Sequence, residues 1–409
     1  MLHSPMAGNF FSLAALQGIN YLLPLLSFPY LFRVLGVEKW GLISFGYALT
    51  QYFIILSDFG FNLSGIKYIS QHRDDPEEIN TYLNSATVCR WILGFVGLIA
   101  LLLLCLLFDR FREDYLFYLC YFGMVIGNIM FPLWFFQGIE KMKYITIFNL
   151  IAKSLSIIPF FLFVHQPSDY YIVPICYSVG FILAGLASLY FIYVKLGAAM
   201  FVPKWRHIKF AFVDSSFFFL SRISTSLFTT SNTFILGVVG GDVAAGYYAG
   251  AEKLYQAYNQ LLAPFTGVLY PHVAKNQDVP FFKRAFRLIV SANTVVVLLA
   301  LALSSYLLLL VYGEVLDESL RVLNTLLIAC FVTIPSMMLG YPFLAAMGHP
   351  SFTNMSLVVT SLAHVLGLTI LYFMNAITIG NVAIMVIVSE SILLSVRVYG
   401  VRKYKLFEV

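Results

Sequence analysis

Apolar residues in this chain fall into long continuous runs that are separated by short polar intervals. A helix needs about 20 predominantly apolar residues to cross a bilayer, and about twelve runs reach that length. The predicted spans lie at about 9–32, 41–66, 83–108, 115–137, 145–164, 171–194, 210–238, 246–270, 287–311, 321–346, 352–373 and 378–398. The first run lacks a small-residue cleavage site, so we expect it to be a span and not a signal peptide.

Composition favours the same class of protein. Of the 409 residues, 60% are apolar and 11% are charged, whereas a soluble domain has about 25% charged residues. No polar interval is long enough to hold a separate catalytic domain. The five cysteines stand singly, without a C-x-x-C pair or a nearby His cluster, and are interpreted as packing residues. We therefore expect an all-α integral membrane protein with no catalytic residues, no metal site and no cofactor.

The distribution of Lys and Arg predicts how the chain is oriented. Sixteen of the 25 basic residues lie in one set of loops and five in the opposite set. Because basic residues in short loops are retained on the cytoplasmic side, both termini are predicted to be cytoplasmic. The remaining four lie inside predicted spans: Arg90, Lys153, Arg222 and Lys253.

A faint internal repeat divides the chain into halves. Its matching pairs are Gly36 and Gly241, Gly41 and Gly246, and Gln51 and Gln256 at a spacing of 205 residues, and Pro132 and Pro342, and Gly138 and Gly348 at 210. An even number of spans per half favours a parallel repeat about the membrane normal. We expect two pseudo-symmetric six-helix bundles, 1–194 and 210–409, around a central cavity. A basic cytoplasmic linker, 195–209, joins them.

The seventh and eighth spans carry polar stripes. Arg222, Ser226, Thr229 and Thr233 recur at helical spacing on one face of the seventh span. Lys253, Gln256 and Gln260 form a similar stripe on the next helix. A face with charges and hydroxyl groups cannot look at lipid, so both stripes predict the lining of a transport pathway.

The first two spans repeat this pattern. The first carries Gln17, Asn20, Tyr21, Pro24 and Ser27 near one face, and the second carries Ser44, Gln51, Asp58 and Asn62. A cavity lined by both halves would explain all four stripes together. For any single polar residue, a hydrogen bond between neighbouring helices remains an alternative.

Each charge inside a span has a more specific interpretation. Arg222 lies too deep to reach water easily, so it is predicted to face the cavity. Lys253 is also a candidate lining residue, and it need not pair with its neighbour Glu252, because adjacent helical residues point about 100° apart. Arg90 and Lys153 lie nearer the cytoplasmic ends, where either a cavity mouth or an interfacial anchor is possible.

The acidic residues inside spans are candidate charge partners or ion-coupling groups. Asp58 and Glu252 fall in this class, and the partner interpretation is favoured for Asp58 because a buried carboxylate needs a counter-charge. Glu390 and His364 are lone ionisable groups on apolar helices, and each is interpreted as a locally hydrogen-bonded residue.

A cavity that contains Arg222 and Lys253 suits a phosphorylated head group, because both cations bind phosphate oxygens. Asn, Gln, Ser, Thr and Tyr side chains can bind sugar hydroxyl groups. A drug or cation antiporter would need a cavity dominated by carboxylates. A membrane-embedded polymerase or ligase would need a larger loop outside the membrane than the sequence contains.

Several runs resemble a known family. They are SFPYLFRVLGVEKWGLISFGYAL at 27–49, LSDFGFNLSGIKYIS at 56–70, PLWFFQGIEKMKYITIFN at 132–149 and the stretch 221–275 that contains TSNTFILG. These motifs, in this order, resemble the polysaccharide-transporter family of the multidrug/oligosaccharidyl-lipid/polysaccharide exporter superfamily, and its O-antigen flippases in particular. The last four spans carry no such motif.

The resemblance implies a flippase of the bacterial inner membrane that moves an undecaprenyl-pyrophosphate-linked O-antigen repeat unit to the periplasmic leaflet by alternating access. It also adds Arg33, in the FRVLG run, as a candidate substrate contact. The partners it implies are this lipid-linked oligosaccharide, membrane lipid, and the O-antigen polymerase and chain-length regulator, with no nucleic acid. The candidate substrate-binding residues are therefore Arg222, Lys253, Arg90, Lys153, Arg33, Gln51, Asn62, Thr229 and Gln256.

Overall fold

The computed structural model describes the backbone of residues 5–407, and it describes their side chains except at 5–25, 220–222, 224–229, 263–264 and 267–268. All regular elements in these residues are helical. The first half contains α1 (Pro5–Asp58), α2 (Phe61–Gln71), α3 (Pro76–Leu107), α4 (Asp109–Arg112), α5 (Tyr115–Met130), α6 (Leu133–Gly138), α7 (Met142–Phe163), a 3-10 turn (Pro167–Tyr171), α8 (Ile172–Tyr190) and a π-helical turn (Phe191–Lys195).

The second half is also entirely helical in its described residues. It contains α9 (Trp205–Val239), α10 (Gly241–Asn276), α11 (Val279–Ala302), α12 (Ser304–Tyr312), α13 (Asp317–Leu339), a π-helical segment (Gly340–Ala345), α14 (Pro350–Phe373) and α15 (Ile379–Lys403).

Nine helical segments of the described chain are long and apolar enough to cross a membrane. The helices α9 and α10 are also longer than a span, at 35 and 36 residues. They hold the polar stripes predicted for the seventh and eighth spans, so their hydropathy is lower than that of a lipid-facing helix. The predicted class, an all-α multi-pass membrane protein, is confirmed.

Several of the predicted continuous spans are broken in the structure. The span predicted at 41–66 is interrupted between α1 and α2, where Gly60 has φ 87°. The span predicted at 115–137 is interrupted at Phe131 and Pro132, between α5 and α6. Proline removes a backbone donor and its ring clashes with the preceding turn, which explains the second break. The span predicted at 287–311 is interrupted at Leu303, between α11 and α12.

The internal repeat has a conformational counterpart. Gly36 and Gly241, which match in sequence, both adopt a positive φ, of 73° and 79°. This region favours glycine because other residues place Cβ against the backbone there. Pro132 and Pro342 also match, and each follows the end of a long helix, α5 and α13 respectively. The two halves therefore share local geometry at these two matched pairs, whereas Gly348 has a positive φ and its match Gly138 does not.

The chain folds as two compact units, the first Met1–Lys39 with Phe45–Ile223 and the second Trp40–Ser44 with Ser224–Val409. The core of the first unit includes Trp134 and Tyr82, whose rings meet edge to face at 5.9 Å. The core of the second includes Phe282 and Phe343, whose rings stack at 4.2 Å. The bounds predicted for the bundles and for the linker 195–209 stay a prediction.

A polar cavity in the second unit

One face of α10 collects polar side chains between residues 252 and 270, over about five helical turns. Glu252, Tyr255, Gln256, Asn259 and Gln260 follow each other at spacings of one, three or four residues, which places most of them on the same side of a helix. Further along the helix, Thr266 and Tyr270 continue this face. A helix with such a face is stable among membrane helices only if the face borders water, a ligand or other polar groups.

This face borders a cavity of about 660 Å³, a size typical of small-molecule sites. The cavity is enclosed by α10, α13 and α15, with smaller contributions from α9, α14 and the π-helical segment. The described residues that line it are Asn232, Tyr248, Glu252, Tyr255, Gln256, Asn259, Gln260, Thr266, Tyr270, Thr333, Ser336, Met337, Tyr341, Pro342, Leu357, Val386, Glu390, Leu393 and Arg397.

Arg397 anchors the wall opposite α10. Its Nη1 donates to the Ser336 carbonyl oxygen at 2.7 Å and its Nε donates to Ser356 Oγ at 3.2 Å. The Ser336 carbonyl belongs to the last turn of α13, where carbonyl groups have no partner within the helix. A guanidinium near a helix C-terminus satisfies such a group and is attracted by the helix dipole. Arg397 therefore connects α13, α14 and α15.

Glu390 lies seven residues before Arg397, so both side chains share one face of α15. The two groups interact electrostatically, and both are buried, at 5% exposure. Close to Glu390, the hydroxyl groups of Tyr255 and Thr333 are 3.0 Å apart and join α10 to α13. A buried carboxylate beside a buried guanidinium is far less costly than either charge alone.

Gly340 allows Arg397 to approach the end of α13. A Cβ atom at position 340 would lie 2.8 Å from both Cζ and Nη1 of Arg397. We expect Gly340→Ala to lower the free energy of unfolding by about 1–3 kcal/mol, because the guanidinium would have to leave Ser336 and Ser356. Thermal unfolding of the purified protein in detergent measures the effect.

The matched control for this substitution is Gly380→Ala on α15. None of the described residues places an atom within 4 Å of a Cβ built at Gly380. Alanine is also the better helix former, so this control should unfold at the wild-type temperature or slightly above it. Equal melting temperatures for the two variants would contradict the proposed close approach.

The predicted residues of the eighth span lie at or next to this cavity. Glu252 and Gln256 line it. Glu252 is 9% exposed and accepts a hydrogen bond from Thr233 at 2.9 Å, which joins α10 to α9. The half-buried Lys253 interacts electrostatically with Glu252. Arg222 and Thr229 fall on α9 outside the described side chains.

The predicted residues of the first unit do not share one cluster. Arg90 is 2% exposed, and its guanidinium donates to the carbonyl oxygens of Asn128 and Ile129 at 2.8 and 3.2 Å. Both carbonyls belong to the last turn of α5, so Arg90 caps the helix that ends before Pro132. Asp58, also buried, interacts electrostatically with Arg90.

The other predicted residues of the first unit are more accessible. Arg33 is exposed, whereas Gln51, Asn62 and Lys153 are partly buried. Gln51 lies on α1, Asn62 on α2 and Lys153 on α7. Their roles in substrate binding stay predictions.

His364 holds three helices of the second unit together. Its imidazole, fully buried, lies 2.8 Å from Ser389 Oγ and 3.0 Å from Asn232 Oδ1. The partners belong to α15 and α9, while His364 belongs to α14. The interpretation of His364 as a locally hydrogen-bonded residue agrees with this geometry.

The comparison with protein families covers two thirds of the chain. A family model described as "Polysaccharide biosynthesis protein" matches residues 6–277. The chain belongs to this family. The match includes the first unit together with α9 and α10, and it ends before α11. The family resemblance seen in the sequence motifs is thereby confirmed.

The chain is also similar in sequence to a named relative. The chain is 31% identical over 267 residues to a protein of Escherichia coli (strain K12) named "Putative O-antigen transporter". The aligned part covers 65% of this chain and 64% of that protein. The chain therefore matches slightly less than two thirds of that relative's length.

Two solved structures share the fold of this chain over nearly its whole length. An inward-facing multidrug resistance MATE family transporter of the MOP superfamily superposes with a TM-score of 0.72 at 14% identity, covering 94% of this chain and 95% of that chain. The lipid II flippase MurJ, in an inward closed conformation, gives a TM-score of 0.70 at 13% identity and covers 98% and 88%. The expected fold of about twelve membrane helices in two bundles is confirmed.

Several residues that line the cavity of this protein were not predicted from its sequence. Arg397, at the end of the span predicted at 378–398, was counted among the sixteen basic residues of the cytoplasmic side, but it is buried within α15, where the end of α13 and Ser356 hold it. Glu390 was treated as isolated, although it lines the cavity beside Arg397. The spacing of seven residues between them was the available signal, because it places two opposite charges on one helix face.

The charged residues of this cavity can be stated directly. Its described lining contains two carboxylates, Glu252 and Glu390, and one guanidinium, that of Arg397. The cationic lining predicted for a chamber between the two halves stays a prediction, because the side chain of Arg222 lies outside those that the structure describes and Lys253 does not line this cavity.

Proposed function

We propose that this protein is a flippase that moves an undecaprenyl-pyrophosphate-linked O-antigen repeat unit from the cytoplasmic to the periplasmic leaflet of the bacterial inner membrane. It does so by alternating access and without catalysing a covalent step. Both termini lie in the cytoplasm, as the distribution of Lys and Arg indicates.

The observation that carries this proposal is a polar cavity among membrane helices in a member of the polysaccharide biosynthesis family. Soluble enzymes of polysaccharide assembly have no need of nine or more apolar helices. The name of the Escherichia coli relative and the shared fold with a lipid II flippase support the same class of substrate, a glycan carried on a lipid.

The physical task explains why such a cavity is needed. A pyrophosphate with several sugars cannot cross about 30 Å of hydrocarbon, because its charges and hydroxyl groups would lose their hydration. Its polyprenyl chain, by contrast, need never leave the lipid. A polar chamber that opens in turn to each leaflet lets the head group cross while the chain remains in the membrane.

Deletion of the gene tests this proposal. Lipid-linked repeat units should accumulate on the cytoplasmic leaflet, and long-chain O-antigen should disappear from the cell surface. Restoring the wild-type chain on a plasmid should reverse both effects. Normal O-antigen in the deletion strain, with no second flippase present, would refute the proposal.

Arg222 is the substrate contact that the sequence predicts most directly. A membrane-centre arginine costs at least ~2.5 kcal/mol, so we expect it to be retained for binding the pyrophosphate. Arg222→Ala should abolish complementation of the deletion strain at normal expression, and Arg222→Lys should retain part of it. The control is Arg112→Ala, at an exposed arginine that pairs with the equally exposed Asp109. Full activity of Arg222→Ala would remove this residue from the site.

A drug or cation antiporter is the second candidate function. The carboxylates of Glu252 and Glu390 in the cavity favour it, because they would attract a cation. This candidate predicts that deletion sensitises cells to cationic drugs and leaves O-antigen intact. The two functions therefore give opposite results in the same deletion strain.

A further inference from the structure

We infer that the cavity of the second unit binds the sugar part of the substrate and not its pyrophosphate. This inference rests on the proposed function and divides the head group between separate parts of the protein. Four features of the cavity carry it: the balance of charge, the engagement of Arg397, the amide and hydroxyl groups of α10, and the tyrosine rings.

The balance of charge disfavours a pyrophosphate. Among the described residues that line the cavity, the acidic and strongly basic ones are Glu252, Glu390 and Arg397. Two carboxylates against one guanidinium would repel a doubly charged anion. Phosphate sites in proteins instead collect several donors from Arg, Lys or helix N-termini.

The engagement of Arg397 points the same way. Its Nη1 and Nε atoms already donate to Ser336 and Ser356, and its Cζ atom packs against Gly340. It also faces Glu390 on its own helix. With Nε and Nη1 engaged in this way, Arg397 offers a phosphate fewer free N–H groups than an unengaged arginine would, and giving up the bond to Ser336 would cost a buried hydrogen bond.

The neutral polar groups suit a sugar. Gln256, Asn259 and Gln260 provide amides that both donate and accept, as sugar hydroxyl groups do. The buried Oδ1 atom of Asn259 accepts no hydrogen bond from any residue that the structure describes. Buried acceptors normally find a donor, and a ligand hydroxyl group in the cavity would supply it. The carboxylate of Glu390 is a stronger acceptor of the same kind.

The tyrosine rings complete the match to a sugar. Tyr255 and Tyr270 on α10 line the cavity, and Tyr341 lines it from the π-helical segment. Tyrosine combines a broad apolar face, which can cover the C–H face of a pyranose, with a hydroxyl group that hydrogen-bonds at its edge. Tyr341 is oriented by a 2.6 Å hydrogen bond from its hydroxyl group to Asn354 Oδ1.

Direct binding measurements separate the two parts of the substrate. The full-length protein in lipid nanodiscs is titrated with two probes: the phosphate-free repeat-unit oligosaccharide released by mild acid, and sugar-free undecaprenyl pyrophosphate. The test variants are Asn259→Leu, Gln256→Leu and Glu390→Gln. The matched controls make the same changes outside the cavity, Asn276→Leu at the exposed end of α10 and Glu318→Gln at a partly exposed ion pair.

Asn259→Leu is expected to weaken oligosaccharide binding by about tenfold, because one hydrogen bond to a buried acceptor is lost. Its affinity for undecaprenyl pyrophosphate should stay within about twofold of wild type, as should both affinities of the controls. Gln256→Leu and Glu390→Gln should show the same selectivity, and they keep the test decisive if Asn259→Leu does not fold.

Three results would overturn the inference. The first is unchanged oligosaccharide affinity in all folded cavity variants. The second is a loss of undecaprenyl pyrophosphate binding as large as the loss of oligosaccharide binding. The third is binding of tetraphenylphosphonium that depends on Glu390, with no oligosaccharide bound. If O-antigen in cells still depends on the protein, any of these results rejects only the sugar site. Normal O-antigen in the deletion strain would reject the proposed function as well.

Discussion

Arg397→Ala is expected to lower the free energy of unfolding by roughly 3–5 kcal/mol, because it removes buried hydrogen bonds from a charged donor to Ser336 and Ser356, each worth about 1.5–3 kcal/mol. The substitution leaves the Ser336 carbonyl at the end of α13 with only the Gly340 N–H as donor and leaves Glu390 without its neighbouring positive charge. Thermal unfolding in detergent, together with the yield of monodisperse protein, measures the loss.

The control for this prediction is Arg402→Ala, five residues further along α15 at an exposed position. It should leave the melting temperature unchanged. The double variant Arg397→Met with Glu390→Gln should recover part of the stability, because it removes both buried charges together. If Arg397→Ala were as stable as Arg402→Ala, the assignment of Arg397 to the end of α13 would be wrong.

Arg90→Ala is expected to have a comparable effect in the first unit, again roughly 3–5 kcal/mol, because it too removes buried hydrogen bonds from a charged donor. Here the guanidinium donates to the carbonyl groups of Asn128 and Ile129 at the end of α5, and Asp58 supplies the negative charge nearby. These carbonyl groups lie just before the break at Pro132, where the helical ladder ends; the Phe131 N–H donates to the Asn128 carbonyl at 3.2 Å, and Arg90 adds side-chain donors to both carbonyls.

A double-mutant cycle separates the capping role of Arg90 from its interaction with Asp58. Asp58→Asn alone and the pair Arg90→Ala with Asp58→Asn are compared with Arg90→Ala and wild type by their melting temperatures. A coupling energy of about 1–3 kcal/mol is expected for groups that share a buried site. Additive effects would show that Asp58 does not stabilise Arg90, while a neutral Arg90→Ala would contradict the capping role itself.

These two arginines lead to one structural interpretation. Both α5 and α13 end at positions that match in the internal repeat, with Pro132 and Pro342 just beyond. In each unit an arginine from another helix, α3 or α15, donates to the last turn. A proline break inside the membrane exposes carbonyl groups that water cannot reach, and a buried guanidinium is one way to satisfy them.

Because these arginines have structural roles, a loss of function in their variants has two explanations, lost stability and lost substrate binding. Arg90 was a candidate for substrate binding, and it stays one, but its hydrogen bonds show a structural role. Loss of O-antigen in an Arg90 variant would therefore not by itself indicate substrate contact. The stability measurements above have to precede any such conclusion.

The sequence alone determined the class of protein, the approximate number of helices and the family. Length and apolarity of a run decide whether a helix can span a bilayer, and they need no knowledge of its neighbours. The stripe of Lys253, Gln256 and Gln260 was equally visible, because helical periodicity brings such residues to one face whatever surrounds them. In the structure Gln256 and Gln260 line the cavity together with Glu252, and not with Lys253.

Only the tertiary structure decided which charges meet. Arg397 and Glu390 share a helix face in the sequence, but the carbonyl group that holds Arg397 belongs to α13, 61 residues away. The partner of a buried charge is set by how helices pack, and packing depends on contacts between residues far apart in the chain. For this reason the composition of the cavity, with its two carboxylates and its engaged guanidinium, was beyond what periodicity and hydropathy could predict.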